Sequence, residues 1–342
     1  MNSPGEVGEL RTVAGIDEAG LGPLLGPLCL GYSVLRFPAG PRTLWQRLAP
    51  LVSERPSDKR ARFVVADSKR VFNRSLRGAQ RLEATALGFL AQTTSKRKLE
   101  RSAENLLWST PRALAPTSSK EILREHPWYG AEPCVPWSLD APSLELSAES
   151  LARLLGVQGI EVLEAGVVVV PEGELNRSFA KTGSKSATEW EHTARILDRL
   201  WERHALEAGA ALKVVIDRLG GRSHYGSLLA KALPQAVLKR RRETPQRSEY
   251  ELRAKSATDQ RALRVLFAER AEQGSFPVAL ASCLAKYARE TAMRSFNAYF
   301  GARQSGLAPT AGYTTDGRRW LEQARAALAQ AQVDRERLVR TR

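Results

Sequence analysis

Two adjacent carboxylates stand directly before a glycine-rich stretch near the start of the sequence. In GIDEAGLGPLLGP, residues 15–27, Asp17 and Glu18 follow an apolar run. The glycines and prolines that come next are Gly20, Gly22, Pro23, Gly26 and Pro27. Glycine lets the chain bend and lets a ligand approach amides that no Cβ shields. The stretch therefore indicates a site in which acids and exposed backbone meet.

Two further acids end apolar runs, Asp67 in FVVAD and Asp217 in KVVID. In an α/β sheet, ligands and metals are bound where strands end and loops begin. Asp17, Asp67 and Asp217 thus form a constellation of strand-end acids. Because side chains alternate faces along a strand, Asp17 and Glu18 can serve one ion only if the strand breaks there or Glu18 contributes its backbone.

A helical pattern over ASCLAKYARETAM, residues 281–293, adds another acid. Ser282, Lys286 and Glu290 recur every four residues and share one face. Lys286 with Glu290 could be only a surface ion pair, worth about 0.3–0.5 kcal/mol. Clustered carboxylates near basic residues also suit Mg²⁺ or Mn²⁺. Two such ions about 4 Å apart could activate a water and stabilise the leaving oxygen of a phosphodiester.

Two common phosphate-binding motifs are absent from the sequence. A P-loop needs a Gly-Lys pair, which KTGSKSAT at 181–188 lacks. Gly20, Gly22 and Gly26 are spaced one residue too widely for a dinucleotide fingerprint.

The charge balance of the 342 residues favours a polyanionic partner. Lys and Arg number 52 against 37 Asp and Glu, which gives a net charge of +15 and a pI near 10.1. Nucleic acid is the leading candidate. The alternative is an Arg-rich composition with no special partner.

Cysteine and histidine usage excludes a zinc site or a disulfide frame. Cys29, Cys134 and Cys283 are widely spaced among apolar or small neighbours, which predicts buried thiols in a reducing compartment. The four histidines are scattered, and no stretch is apolar enough to span a bilayer. The sequence therefore predicts a cytoplasmic protein with no membrane partner.

Apolar runs and amphipathic patterns alternate along the chain and predict an α/β fold with a mixed central sheet. The predicted strands lie near residue 16 and at 28–35, 62–72, 165–171 and 212–217, and the predicted helices at 75–92, 187–208, 224–233 and 277–300. Residues 95–155, rich in Pro and Trp, are expected to be an irregular insertion. The basic run at 238–255 is either a solvated face or a phosphate contact surface.

Five motifs follow one another along the chain: GIDEAGLGPLLGPLCLG, ADSK (66–69), VVID (214–217), ASCLAKYARE (281–290) and TAGYTTDGRRWL (310–321). Together they resemble the motifs of the type 2 ribonucleases H, which cut RNA within RNA/DNA duplexes. The resemblance covers nearly the whole chain outside two insertions. It implies a ribonuclease H-like domain at 1–94 and 156–335, with insertions at 95–155 and 238–275 and a helical C-terminal part.

The resemblance also implies roles for particular residues. The metal-binding and catalytic acids are expected to be Asp17, Glu18, Asp217 and Glu290, with Mg²⁺ or Mn²⁺ as cofactor. The substrate contacts are expected from Gly20, Leu21, Gly22, Lys69, Ser282, Lys286 and Tyr313. Tyr313 matches a tyrosine that packs against the sugar at the ribose-to-deoxyribose junction, and the backbone of Gly20–Gly22 helps sense the 2′-hydroxyl.

Two positions depart from the family pattern. Leu21 replaces an arginine, which removes a charge-assisted phosphate contact worth roughly 1.5–3 kcal/mol. Glu290 replaces an aspartate, and a shift of about 1 Å in a reacting group can cost on the order of a hundredfold in rate.

The resulting hypothesis is a metal-dependent endoribonuclease that hydrolyses the RNA strand of RNA/DNA hybrids and leaves 5′-phosphate and 3′-hydroxyl ends. One alternative is a non-catalytic or retargeted nucleic-acid-binding protein that keeps the fold. Another is a related nuclease for branched or flapped DNA.

Overall fold

The computed structural model describes residues 9–73, 75–93, 98–114, 117–131, 134–205 and 211–341. Within them, seven strands form a central sheet and two short strands form a second one. The nine strands are β1 (Leu10–Ala19), β2 (Leu28–Pro38), β3 (Val52–Ser53), β4 (Phe63–Val64), β5 (Glu161–Val170), β6 (Leu212–Asp217), β7 (Ala236–Glu243), β8 (Arg247–Ala254) and β9 (Ala262–Ala268).

The central sheet has the order β5-β2-β1-β6-β9-β8-β7 and is mixed. β1 and β2 form an antiparallel pair on either side of the glycine-rich turn, as the apolar runs predict. β1, β6 and β9 are parallel, so their carboxyl ends meet at the same edge of the sheet. The expected α/β class, with a mixed sheet flanked by helices and a helical C-terminal part, is confirmed.

Helices cover both faces of this sheet. They are α1 (Leu44–Leu48), α2 (Ser68–Val71), α3 (Leu76–Leu90), α4 (Ala103–Trp108), α5 (Ser119–Glu125), α6 (Ala141–Val157), α7 (Glu172–Thr182), α8 (Lys185–His204), α9 (Gly226–Ala232), α10 (Phe276–Gly301), α11 (Thr314–Gln323), α12 (Arg325–Ala331) and α13 (Arg335–Leu338). The helices predicted at 75–92 and 277–300 correspond to α3 and α10 within two residues at each end. The helix predicted at 187–208 corresponds to α8, and residues 206–208 lie outside the described residues.

Two apolar cores separate the sheet from its helices. On one face, α10 crosses β1 and β2, and its buried side chains join those of α3 and α6. The close approach depends on Gly31 of β2, where a Cβ would lie 2.0 Å from the carbonyl oxygen of Ala281. On the other face, α8 buries Trp201 and its apolar neighbours against β1, β2, β6 and β9.

The segment 95–155 is more helical than the sequence suggested. Ser102, Ser118 and Asp140 each accept a backbone N–H bond as helix N-caps, which explains why α4, α5 and the 17-residue α6 begin after them. Trp128 is buried and lies against Phe300 of α10, with ring centroids 5.9 Å apart. The aromatic residues therefore attach this segment to the main core.

The cysteines depart from expectation at one position. Cys29 and Cys283 are buried free thiols, as predicted. Cys134 is exposed, because it lies in a short bridge to Ser102 at the surface. Among the helices described here, none combines the length and apolar character that crossing a membrane requires.

Candidate active site

A pocket of about 380 Å³ opens at the edge where β1, β6 and β9 end. It is lined by carboxylates and by small or basic polar side chains. The lining residues are Asp17, Glu18, Asp67, Ser68, Lys69, Asp217, Arg270, Glu272, Gln273 and Ser282. The structure thus brings together the three strand-end acids that the sequence singles out.

Asp17 and Asp217 are neighbours because their strands are parallel and in register. Ile16 lies beside Ile216, so the next residue of each strand is an aspartate at the sheet edge. Asp17 Oδ1 accepts a hydrogen bond of 2.9 Å from the Glu18 amide. Asp217 Oδ1 accepts one of 3.0 Å from the amide of Ala271. These bonds leave each carboxylate with unused acceptor capacity toward the pocket.

The side chains of Asp17 and Glu18 leave β1 on opposite faces, yet their carboxyl groups contact each other. The strand continues to Ala19, which pairs with Cys29, so no break turns both side chains to one face. The Glu18 carboxylate contacts Glu189 of α8. It still reaches the pocket because it stands at the end of the strand.

Glu189 is an acid that sequence reasoning missed. It is 1% exposed, and its Oε2 accepts no hydrogen bond within the described part of the chain. Burial, together with the negative charge of Glu18, raises the pKa of Glu189 to about 9. Its carboxyl is therefore protonated at neutral pH and stands behind Glu18 as a neutral group.

Glu272 is a second missed acid, and it lines the pocket itself. It lies in a 3₁₀ turn, Ala271–Gln273, that follows β9. Burial raises its pKa, and the charges of Asp217 and Asp67 raise it further. The signal was present in the sequence, since ALRVLFA at 262–268 is an apolar run followed by acids. Glu272 was not singled out from the sequence because residues 238–275 were interpreted as an insertion.

α2 supplies the polar wall of the pocket. Asp67 accepts a hydrogen bond of 3.0 Å from the Lys69 amide and so caps this short helix. The hydroxyl of Ser282, from α10, lies 3.1 Å from that of Ser68. Lys69 projects its ammonium toward the acids, where its charge lowers the pKa of Glu18 and of Asp217 against the opposing effect of burial.

The acids are held in an environment that disfavours their negative charge. Burial is the largest cause of a strongly raised pKa at Asp17, and the charges of Glu18 and Asp217 add to it. Burial and Asp217 likewise raise the pKa of Glu18, and burial raises that of Asp217. A group of carboxylates in this state is stabilised by any cation that shares it.

Two buried arginines hold the glycine turn beside the pocket through hydrogen bonds to its carbonyl oxygens. Arg340 donates to the carbonyl oxygens of Gly20 at 2.5 Å and Gly26 at 2.8 Å. Arg289 donates to the carbonyl oxygen of Leu25 at 3.1 Å. Gly20 has φ +90°, and a Cβ there would lie 2.7 Å from Arg289 Cδ. Burial and the repulsion of Arg289 lower the pKa of Arg340 to about 9.

The predicted substrate residues Leu21 and Tyr313 lie near this turn in different settings. The carbonyl oxygen of Gly312 accepts hydrogen bonds from the amides of Leu24 at 2.8 Å and Leu25 at 3.0 Å, which brings the TAGY segment to the turn. Tyr313 follows and is 50% exposed. Leu21 packs against the apolar core on the α8 side of the sheet.

Lys286 and Glu290 are not among the residues that line the pocket. They form an ion pair on α10, and the Lys286 ammonium lies 4.9 Å from the centroid of the Phe72 ring. Glu290 stands eight residues beyond Ser282, about 12 Å along the helix at 1.5 Å per residue. The role expected of Glu290 beside Asp17, Glu18 and Asp217 therefore stays a prediction.

The donor set fits a divalent cation in its chemistry. Asp17, Glu18, Asp217 and Glu272 offer oxygen atoms only, which hard cations such as Mg²⁺ and Mn²⁺ select. Across the described ranges, however, no three Asp, Glu, His or Cys side chains are gathered closely enough to hold an ion as they stand. Binding would have to draw these carboxylates closer together.

Comparison with known proteins finds similarity to solved structures only. No protein-family model and no curated protein matches the chain. The ribonuclease HII in a complex with PCNA from Archaeoglobus fulgidus is 15% identical, with a TM-score of 0.41 over 97% of this chain and 94% of that one. The ribonuclease H2 of Pyrococcus horikoshii OT3 is 15% identical, with a TM-score of 0.39 over 96% and 92%.

A third similar structure is that of Bst-RNase HIII in complex with Mn²⁺, which is 14% identical with a TM-score of 0.41. This chain is covered over 98% of its length and that one over 68%. With identities below 25% and TM-scores below 0.5, what the pocket does must follow from its own residues.

Proposed function

We propose that this protein is a metal-dependent endoribonuclease that hydrolyses the RNA strand of RNA/DNA hybrids and leaves 5′-phosphate and 3′-hydroxyl ends. The observation that supports it most is the meeting of carboxylates from β1, β6 and the turn after β9 in one pocket beside Lys69. Asp17, Glu18, Asp217 and Glu272 are the residues that would hold Mg²⁺ or Mn²⁺. When bound, such ions lower the pKa of the attacking water and stabilise the leaving oxygen.

The remaining residues of the site bind and orient the substrate. Lys69 lies in the pocket wall, where its ammonium can contact a phosphate. The turn at Gly20–Gly22 presents backbone to the ribose, and the exposed ring of Tyr313 can pack against a sugar. Ser282 contacts the Asp17 carboxylate and keeps it turned toward α10. Lys286, outside the pocket, is assigned a supporting role through its pair with Glu290.

Cleavage of a labelled RNA/DNA hybrid in Mg²⁺ or Mn²⁺ tests this function. Asp17→Asn and Asp217→Asn remove one negative charge each from the pocket at almost constant volume. We expect each to lower the cleavage rate by about 10²–10³-fold, the usual effect of removing one group that stabilises developing charge. Glu161→Gln, at an exposed ion pair on β5, is the matched control and should cleave like the native chain.

Equal rates in the native chain and both aspartate variants would refute this assignment of the pocket. End-labelling of the products checks the second part of the proposal, since hydrolysis on the other side of the phosphorus would place the phosphate on the 3′ end.

The second candidate is a nucleic-acid-binding protein that does not cleave. Two observations favour it, the lack of a ready-made three-ligand metal site in the described ranges and the apolar packing of Leu21 where the family motif has an arginine. This candidate predicts hybrid binding that weakens steeply with salt and no turnover in either metal.

A further inference from the structure

One half of a sheet face carries charged side chains that no helix covers within the described residues. α10 covers this face at β1 and β2. Farther across, alternate residues of β8 present Arg247, Glu249, Glu251 and Arg253. These side chains and those of β7 and β9 line a cavity of about 650 Å³, whose described lining residues come only from these three strands and Ala211.

Each glutamate on this face is shared by two arginines. Glu251 accepts from Arg241 at 2.8 Å and from Arg253 at 2.6 Å. Glu249 likewise accepts from two guanidiniums, with 3.0 Å to that of Arg247. The four arginines in these pairs are Arg241, Arg247, Arg253 and Arg264.

This sharing leaves excess positive charge at the surface. Four guanidiniums face two carboxylates, so the group carries a net charge of +2. The glutamate side chains are only 8% and 11% exposed, whereas the four arginine side chains are 44% to 70% exposed. The buried carboxylates thus fix the arginines in place while the arginines keep outward-facing donors.

Lys213 of β6 and Arg242 of β7 extend the group at its two sides. Lys213 pairs in register with Arg264 of β9, and Arg242 lines the cavity. Burial lowers the pKa of Lys213, and the positive charges of Arg247 and Arg264 lower it further. The charges of Arg247 and Arg264 each affect Lys213 more strongly than that of Glu249, which raises this pKa.

The charged face is continuous with the carboxylate pocket. Arg247 also lines a neighbouring cavity of about 550 Å³, to which Arg11, Arg42 and Lys213 contribute. Arg270 lines both that cavity and the carboxylate pocket. Basic side chains therefore follow one another from the pocket to the edge strand β7.

We propose that this arginine face, made of Lys213, Arg241, Arg242, Arg247, Arg253 and Arg264, binds the phosphate backbone of a nucleic-acid duplex whose cleaved part lies at the carboxylate pocket. From β6 to β7 it spans three strand spacings, about 14 Å at ~4.8 Å each. That length matches roughly four base pairs at ~3.4 Å per pair. Guanidiniums bind phosphate oxygens bidentately, which suits a backbone contact that does not read sequence.

The proposed binding role of the arginine face rests on the proposed function in one respect only, the location of the cleaved bond. Binding can be measured without cleavage, by fluorescence anisotropy in metal-free buffer. The probes are a labelled 30-base-pair RNA/DNA hybrid and a DNA duplex of the same sequence, each titrated at several salt concentrations.

The test variant is Arg253→Gln with Arg264→Gln. It removes two positive charges while Glu251 keeps Arg241 and Glu249 keeps Arg247. The matched control is Arg153→Gln with Arg325→Gln, at exposed positions on α6 and α12. It changes the net charge equally at a distance from the arginine face.

We expect the test variant to bind both duplexes about tenfold more weakly and to lose about two from the slope of log K against log salt. The control variant should bind like the native chain. Should the test variant unfold, the single variant Arg242→Gln, which touches neither glutamate pair, should still lose about one from the slope.

Unchanged affinity and slope in the test variant, or an equal loss in the control, would overturn this inference. Its failure is distinct from failure of the proposed function. If the protein cleaves no hybrid, the test variant can still bind duplexes more weakly than the control variant. If the protein does cleave at the pocket, the two variants can still bind equally well.

Discussion

At the pocket, each acid owes its position to a different local feature. Asp217 is the last residue of β6, Asp17 lies two residues before the end of the parallel strand β1, and neighbouring amides donate hydrogen bonds to both. Glu272 instead lies in a one-turn helix after a residue with positive φ, Arg270 at +52°. The turn brings Glu272 back toward the edge that the strands have already filled with carboxylates.

Glu272 and Glu290 can be compared directly by the same conservative change. Glu272→Gln should lower hybrid cleavage by about 10²–10³-fold, because it removes a charge from the pocket wall. Glu290→Gln should retain activity within about threefold, since it breaks a largely buried ion pair with Lys286 and neither residue lines the pocket. The measurement is the single-turnover rate in Mg²⁺ and in Mn²⁺.

The reverse order of these two rates would place the fourth acid at Glu290 on α10. Circular dichroism of both variants serves as the control for folding.

The strand-end acids could be predicted from the sequence because, in an α/β sheet, an apolar run followed by an acid predicts a buried strand with a carboxylate at its end. Asp17, Asp67 and Asp217 satisfy that rule, and all three line the pocket. Glu189 could not be found in this way, because it lies within the periodic pattern of α8 on the buried face. The four-residue spacing of Ser282, Lys286 and Glu290 was read correctly as one helix face. It does not follow that all of that face reaches the pocket.

At the level of elements, the glycine turn between β1 and β2 is held by hydrogen bonds to its carbonyl oxygens as well as by the apolar packing of its leucines. Arg340 and Arg289 supply donors to the turn, and Glu172 accepts a hydrogen bond of 2.8 Å from the Gly26 amide. Glu172 also provides the counter-charge that favours the Arg340 guanidinium. The turn is therefore a polar assembly buried beside the site.

Substitution of Arg340 tests most directly how much these hydrogen bonds stabilise the fold. Arg340→Met should lower the free energy of unfolding by about 3–5 kcal/mol, because it leaves buried carbonyl oxygens without their donor and Glu172 without the nearby positive charge. Arg340→Lys should cost less, since it keeps the charge and loses the planar fork. Urea unfolding measures both.

Arg335→Gln, on the exposed side of α13, is the matched control and should unfold like the native chain. A methionine variant as stable as the native chain would mean that the turn holds its shape without the arginine.

The β7–β8 hairpin shows why composition alone left two interpretations open. Its residues Arg240 and Arg241 are adjacent, yet the bulge between Arg240 and Arg242 gives them different partners, Glu243 and Glu251. Without the register of the strand pairing, the sequence cannot show which partner each arginine in such a run contacts. The sheet decides which of them meet and which face they share.

For the whole molecule, the alternation of strands and helices was sufficient to predict a mixed sheet with helices on both faces. The helices of the segment 95–155 were harder to predict, because α4 and α5 are short and each begins at a single Ser N-cap. Its attachment to α10 through Trp128 and Phe300 is a tertiary contact that no local pattern encodes.

Stability of the whole fold should depend on acid pH through Glu164 of β5. Burial opposes its charge, but hydrogen bonds from His204 and Arg199 lower the pKa of Glu164 to about 2. A folded-state pKa below the ordinary 4.5 means that Glu164 stabilises the fold above about pH 4.5 and loses this contribution as the pH falls toward 2. The amount is up to about 3 kcal/mol, at ~1.36 kcal/mol per unit.

Urea unfolding at pH 7, 5 and 3 measures this dependence. Glu164→Gln should be less stable than the native chain at pH 7, and the gap should narrow by pH 3. Glu161→Gln, at the exposed pair with Arg36 on the same strand, should follow the native curve. A constant gap across the three pH values would contradict the assignment.

The bond from Arg340 to Gly20 joins residues 320 positions apart. A ribosome adds about 5–20 residues per second, so Gly20 leaves the peptidyl-transferase centre on the order of 16–60 s before its anchor is made. Throughout that interval the glycine turn beside the acids lacks its hydrogen bonds from Arg340. A nascent chain of this design would complete the loop beside its carboxylate pocket only after residue 340 had been synthesised.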